Sequence, residues 1–212
     1  PDAPALPPRI MAPTKARQSR PNARLPRPGE PPVYDLSRAV TTPEPPIGVD
    51  AVREAAERLK PWVPTTPVLT SRTLDERCGG AVFLRGENLQ KVGAFKARGA
   101  CNAVFSLSDE EASRGVVTHS SGNHGAAIAY AARRRGIPAF VVMPDNSPRV
   151  KQDNVRRFGA AVRLCASNVA AREAECETVQ SETGATLIHP LDHARVIAGQ
   201  ATARAALRVA RG

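Results

Sequence analysis

Apolar residues recur at helical spacing from Val49 to Leu59, with Val49, Val52, Ala56 and Leu59 on one face. This pattern predicts an amphipathic helix, ended by Pro61 and Pro64. Thr66-Pro67-Val68-Leu69 reads as a short extended piece, residues 71–78 as a helix closed by Gly79-Gly80, and residues 81–85 as a strand. Residues 95–105 are helical. Beyond them the two periods alternate: strands are predicted over 116–118, 139–143, 161–164 and 186–188, and helices over 124–135, 149–158 and 169–182, with short Gly or Pro junctions. Repeated strand-helix units of this length imply an α/β fold with an open parallel sheet and right-handed crossovers. In such sheets ligands bind beyond the carboxyl ends of strands. The turn Ser120-Ser121-Gly122-Asn123-His124-Gly125 occupies one of those ends.

The pattern is lost before Ile47, where 13 of the 20 prolines lie. That stretch cannot bury enough apolar surface to offset its ordering entropy, so residues 1–46 are expected to form a disordered Pro-rich tail. Residues 11–28 contain several arginines and no acid, as an organelle transit peptide does, but no amphipathic helix, which favours a plain tail. The formal charge of +10 raises the question of nucleic acid. Aromatics make up only 4% of the chain and no basic run interleaves with stacking residues, so a nucleic-acid partner is not expected. Cys78, Cys101, Cys165 and Cys176 show neither a CxxC pair nor a histidine at zinc-ligand spacing and read as reduced, packed thiols, with no metal site. No apolar run approaches the roughly 18 to 20 residues needed to span a bilayer, so a soluble protein of cytoplasmic location and without a membrane partner is expected.

Chemistry enters through two motifs. Gly93-Ala94-Phe95-Lys96-Ala97-Arg98-Gly99 puts a lysine where a helix begins; alone it reads most simply as a solvated surface cation. If buried, it becomes a nucleophilic amine able to form an imine, because desolvation disfavours the ammonium form. The second motif, Thr118-His119-Ser120-Ser121-Gly122-Asn123-His124-Gly125, follows a strand and opens a helix, which makes an anion site of its backbone N–H groups. His119 and His124 lie five residues apart with no carboxylate partner and do not resemble a metal pair; His119 reads as a packed strand-end histidine.

With GAFKARGA and THSSGNHG, the runs AAIAYAARRRGIPAFVVMP and ARVIAGQ (the latter shortly after His189-Pro190) make the chain resemble the fold-type II pyridoxal-phosphate enzymes, in particular the serine racemase and serine/threonine dehydratase group. The resemblance runs over about residues 49–208. It implies a tryptophan-synthase-β-like fold of two domains with open parallel sheets, pyridoxal 5'-phosphate as cofactor, and small amino-acid substrates such as serine and threonine. It implies that Lys96 forms the internal aldimine and then serves as a base on one face of Cα, and that Phe95 packs against the cofactor ring. Asn123 would hydrogen-bond the ring hydroxyl. Ser120, Ser121, Gly122, Asn123 and His124 would receive the substrate carboxylate, which Arg172 would also approach. A racemase needs a proton-transfer group on each face, and Ser121 matches the second; many dehydratases of the family carry alanine there. Lys91 aligns with a lysine of a nucleotide site in animal serine racemases, but Val92, Ala126 and Phe158 depart from that site, so the resemblance does not extend to nucleotide regulation.

The resemblance also implies parts that the chain lacks. No Gly-rich segment is present to cradle the cofactor phosphate, and neither the residue facing the pyridine nitrogen nor an acidic site for a Mg2+ ion appears before Gly212. A C-terminally truncated enzyme is therefore expected, a homodimer when full length. Residues 47–114 and 193–212 would be parts of an incomplete large cofactor domain, and residues 115–192 a small domain carrying the substrate loop. The expected function is a serine racemase or L-serine (threonine) ammonia-lyase working by aldimine formation and Cα proton abstraction. The alternatives are a non-catalytic fragment and a β-replacement enzyme of the cysteine or cystathionine synthase type.

Overall fold

Residues 47–209 are described in the computed structural model, with side chains to residue 204; the tail expected over residues 1–46 lies outside the described residues. Helix α1 (Val49–Leu59) is amphipathic, but its inward stripe is Val52, Ala55, Ala56 and Leu59. Val49 is 67% exposed, because side chains lean toward a helix's N-terminus and the first residue overhangs its open end. Strands β1 (Val68–Thr70) and β2 (Phe83–Arg85) flank helix α2 (Arg72–Cys78). They pair antiparallel with each other, Val68 opposite Arg85, and form a two-stranded ribbon separate from the parallel sheet.

Two tight helical turns, Glu87–Leu89 and Lys91–Gly93, lead into α3 (Lys96–Phe105). The short α4 (Asp109–Ser113) was not expected from periodicity, since five residues carry none. Its signal is the string Ser108-x-x-Glu111. The Glu111 N–H donates to Ser108 Oγ at 3.1 Å, and the Ser108 N–H donates to Glu111 Oε2 at 2.8 Å.

From Val116 on, the alternation appears as expected to within a residue at most ends. Strand β3 (Val116–His119) is followed by α5 (Asn123–Arg135), β4 (Ala139–Pro144), α6 (Arg149–Arg157), β5 (Ala161–Cys165), α7 (Val169–Thr183) and β6 (Thr186–Leu187). The four strands are parallel in the order β5-β4-β3-β6. Side chains alternate across this sheet with period two. Val116, Val141 and Met143 join Ile128 and Val155 in one core, whereas Val117 and Val142 meet Cys176 and Val179 of α7 in another.

A last helix, α8 (Ala194–Val209), packs against α1 and α3. The α3–α8 crossing is a backbone-to-backbone contact. A Cβ at Gly199 would lie 2.7 Å from the Arg98 carbonyl oxygen and 2.7 Å from Gly99 Cα, and one at Gly99 would lie 2.8 Å from the Val196 carbonyl oxygen. Ahead of that contact, Arg98 donates to both carboxylate oxygens of Glu87, 2.7 Å from Nε to Oε2 and 2.7 Å from an Nη to Oε1. Arg85 and Thr66 donate to Oε1 as well, at 3.0 and 2.6 Å. This knot ties the turn before α3 to the helix itself.

Candidate active site

The chain steps from β3 to β4 and β5 on one side and then crosses back to β6 on the other side of β3, so the crevice at the carboxyl ends of β3 and β6 is the topological switch point of the sheet. The turn after β3 lies there. The Ser120 N–H continues the strand register by donating to the Val142 carbonyl at 2.9 Å, and Ser120 Oγ accepts from the Gly122 N–H at 3.1 Å. Helix α5 then starts with no side-chain cap, its first closing bond running from the Ala126 N–H to the Gly122 carbonyl at 3.1 Å. The N–H groups of Asn123, His124 and Gly125 therefore have no intrahelical acceptors. Gly125 is required by packing: a Cβ there would meet Val141 Cγ1 at 2.7 Å, so the first turn of α5 rests directly on β4.

The turn opens on a cleft of about 500 Å³ into which Lys96 projects from the start of α3. Lys96 Nζ donates to the Pro190 carbonyl at 3.1 Å and sits 5.4 Å from the centre of the Phe95 ring. Burial lowers its pKa, which favours the neutral amine. Just upstream, Val92 adopts a left-handed φ of 57°, a strained conformation for a β-branched residue and a constraint on how the chain enters α3. His124 is only 3% exposed, and neither ring nitrogen has a hydrogen-bond partner of good geometry among the described residues. Burial first, and the neighbouring Lys96 charge second, push its pKa down to about 3, so the ring is neutral. His119, buried at the end of β3, stacks edge-on against His189 with ring centres 5.1 Å apart; burial and then the His189 and Arg172 charges lower its pKa. His189 Nδ1 accepts from the Asp192 N–H at 2.8 Å and from the Leu191 N–H at 3.2 Å.

Of the residues expected from sequence, Lys96, Ser120, Ser121, Gly122, Asn123, His124 and Arg172 line this one cleft. Phe95 does not line it; the ring is 45% exposed beside the Lys96 side chain. The cleft also takes in Lys151 of α6, Glu173 of α7, and His189 and Pro190 after β6, none of which was assigned a role from sequence. Their shared signal is position: each follows the carboxyl end of a sheet strand. Among the described residues no group of three or more His, Cys, Asp or Glu is arranged to hold a metal ion, and no helix is long and apolar enough to cross a membrane.

The residues that build this cleft lie within a stretch that is similar to known proteins. The family model for pyridoxal-phosphate dependent enzymes matches residues 59–209. The chain belongs to this family. It is 49% identical over 154 residues to a serine racemase of Oryza sativa subsp. indica, a match covering 73% of this chain and 45% of that protein. It is 50% identical over 148 residues to a beta-hydroxyaspartate dehydratase of Paracoccus denitrificans (strain Pd 1222), covering 70% and 47%. The structure of maize serine racemase superposes with a TM-score of 0.76 at 46% identity, over 77% of this chain and 50% of that one. The pyridoxal-phosphate enzyme chain thus spans about half the length of the curated relatives it matches. Its residues fit the reactive end of that cofactor: Lys96 offers the amine for an aldehyde, and Asn123 offers an unpaired amide in the same cleft. The described residues include no Gly-rich loop for the phosphate.

Proposed function

We propose that this chain carries the amine and the substrate-carboxylate loop of an amino-acid racemase or ammonia-lyase acting at Cα of a small hydroxy amino acid of the serine and threonine type. One observation carries the reading: the burial-lowered amine of Lys96 shares a cleft with the unpaired N–H groups that open α5. When bound, pyridoxal phosphate supplies an electron sink for negative charge at Cα. Lys96 would hold the cofactor, and its amine, whose charged form burial disfavours, would accept and return the Cα proton. Ser121, whose side chain is exposed in the same cleft, is the second proton-transfer group that racemisation needs. The N–H groups of Asn123, His124 and Gly125 receive the substrate carboxylate at the positive end of the helix dipole. A carboxylate there would also satisfy the unpartnered imidazole of His124, whose neutrality spares Lys96 a neighbouring positive charge. Phe95 would flank the ring and Asn123 would donate to its oxygen. Residues 47–114 and 193–212 would belong to the domain that holds the amine, and 115–192 to the one that carries the loop; the packing of α8 on α1 and α3 supports this division.

Titration of the protein with pyridoxal phosphate tests the reading. An absorption band at about 410–420 nm, expected for a lysine imine, should grow in and be absent from Lys96→Ala. The loaded protein should convert L-serine to D-serine or release ammonia from it. A wild-type protein that binds the cofactor only as Lys96→Ala does would refute the assignment.

A further inference from the structure

We infer that His189 is a positioning residue for the Lys96 amine: its Nδ1 closes the turn that presents the Pro190 carbonyl to Lys96 Nζ. The inference rests on the proposed function for the role of that amine and adds the part that aims it. Both ends of the turn are anchored. After β6 the Ile188 N–H donates to the Val117 carbonyl at 2.9 Å, and the Ile188 carbonyl accepts from Thr118 Oγ1 at 2.7 Å, which fixes the chain to β3. On the far side the His193 carbonyl accepts from the Ile197 N–H at 2.9 Å as α8 begins. Between these anchors the N–H groups of Leu191 and Asp192 find no backbone acceptor among the described residues. Both donate to His189 Nδ1, at 3.2 and 2.8 Å. Asn and Asp close turns in this way, with a side-chain oxygen bonded to backbone N–H groups a little further along the chain. His189 does it with a ring nitrogen that stands in the place of an Asn Oδ1.

The peptide between Pro190 and Leu191 carries this hold to the amine. It is planar and trans, so its carbonyl and its N–H point in opposite directions. Drawing the Leu191 N–H onto Nδ1 therefore turns the Pro190 carbonyl away from the ring and onto Lys96 Nζ at 3.1 Å. This is the only hydrogen bond of Nζ among the described residues. Proline fixes its own φ and restricts the residue before it to extended backbone, so His189-Pro190 enters the turn with little freedom left. The His189 ring is braced in turn by its edge-on contact with His119, which is 8% exposed in β3. One line of contacts thus runs from the sheet through two imidazoles and one peptide to Lys96 Nζ. A lysine stem is flexible, and ordering it at the moment of reaction costs rate. An amine that spends one N–H on a fixed carbonyl is already ordered, with its lone pair directed off that bond in the cleft that Ser121 and Asn123 share.

The test lets the lysines of the full chain compete for an aldehyde. With pyridoxal, which lacks the phosphate, and borohydride trapping, mass spectrometry should find Lys96 labelled ahead of the exposed Lys60 and Lys91. His189→Gln carries the acceptor one bond further from the backbone and should lower the ratio of Lys96 to Lys60 labelling about tenfold. His189→Asn keeps an acceptor in the Nδ1 position and should hold that ratio within about twofold of wild type. Melting temperatures report that both variants fold. Hydrogen exchange on the wild type needs no variant: the Leu191 and Asp192 amides should exchange at least about tenfold slower than unbonded amides, although Leu191 is 69% exposed. The inference is overturned if His189→Gln labels Lys96 as wild type does, if His189→Asn is as slow as His189→Gln, or if the two amides are unprotected. His189-dependent labelling of Lys96 in a protein that gains no imine band with pyridoxal phosphate would support the positioning role and overturn the activity proposed above.

Discussion

Polar and charged groups gather in two places, and the two are built on opposite plans. Around Glu87 the carboxylate is closed off: Arg98, Arg85 and Thr66 saturate it, and the side chains of Arg98 and Glu87 are only 6% and 15% exposed. In the cleft, Lys96 holds one carbonyl, His124 holds nothing of good geometry, and Lys151 and Arg172 have no counter-ion among the described residues. A closed network fixes the backbone. An open one keeps binding capacity for something that arrives from solution, and the fold bears its desolvation cost until then.

Breaking each plan should damage different properties. The largest effect is expected for Lys96→Met: turnover should fall by about a thousandfold or more, with no loss of melting temperature. Because burial lowers the lysine pKa, the folded protein disfavours the charged side chain. The variant should therefore be slightly more stable at pH 7, and the gain should vanish as pH rises to the ordinary lysine range, as thermal melts across pH would show. Glu87→Ala should do the reverse. Two buried guanidinium groups lose their counter-charge, at a cost of about 3–5 kcal/mol in urea unfolding, while any protein that remains folded at low temperature keeps the Lys96 imine band.

Acid separates the two regions next. Burial alone would raise the Glu87 carboxyl, but the hydrogen bonds from Arg98, Thr66 and Arg85 outweigh it and bring the pKa from 4.5 to about 2. Its contribution is complete above the ordinary value of 4.5 and is lost as pH falls toward 2. His124 acts over a higher window: the folded state keeps it neutral down to about 3, so stability should fall as pH drops from 6.5 toward 3. His124→Phe should flatten the upper window and leave the lower one, as read by melts at closely spaced pH. The smallest change is expected for Glu76→Ala, which removes an exposed pair with Arg72 and should alter stability by less than about 0.5 kcal/mol.

Sequence carried the sheet half of the fold well because its signal is local: short apolar runs such as Val116-Val117 and Val141-Val142, buried on both faces, alternate with helical stretches across Gly or Pro junctions. The loop residues and Lys96 were legible for a similar reason, since each motif is a contiguous string. What escaped depends on contacts between distant segments. The antiparallel β1–β2 ribbon, the Glu87 knot and the return of α8 onto α3 leave no periodic mark. Lys151 and His189 escaped because each becomes part of the cleft only through strand order. The phase of α1 shifted because its terminal valine reads as apolar, yet there is nothing beyond the helix end for it to touch.

The touching backbones at Gly99 and Gly199 make the two helices a single stiff body, since neither can slide or roll without driving carbonyl into Cα. Lys96 Nζ rides on one end of that body, while the turn over residues 120–125 belongs to the sheet. One added methyl at position 199 would therefore shift the Lys96 amine without touching it.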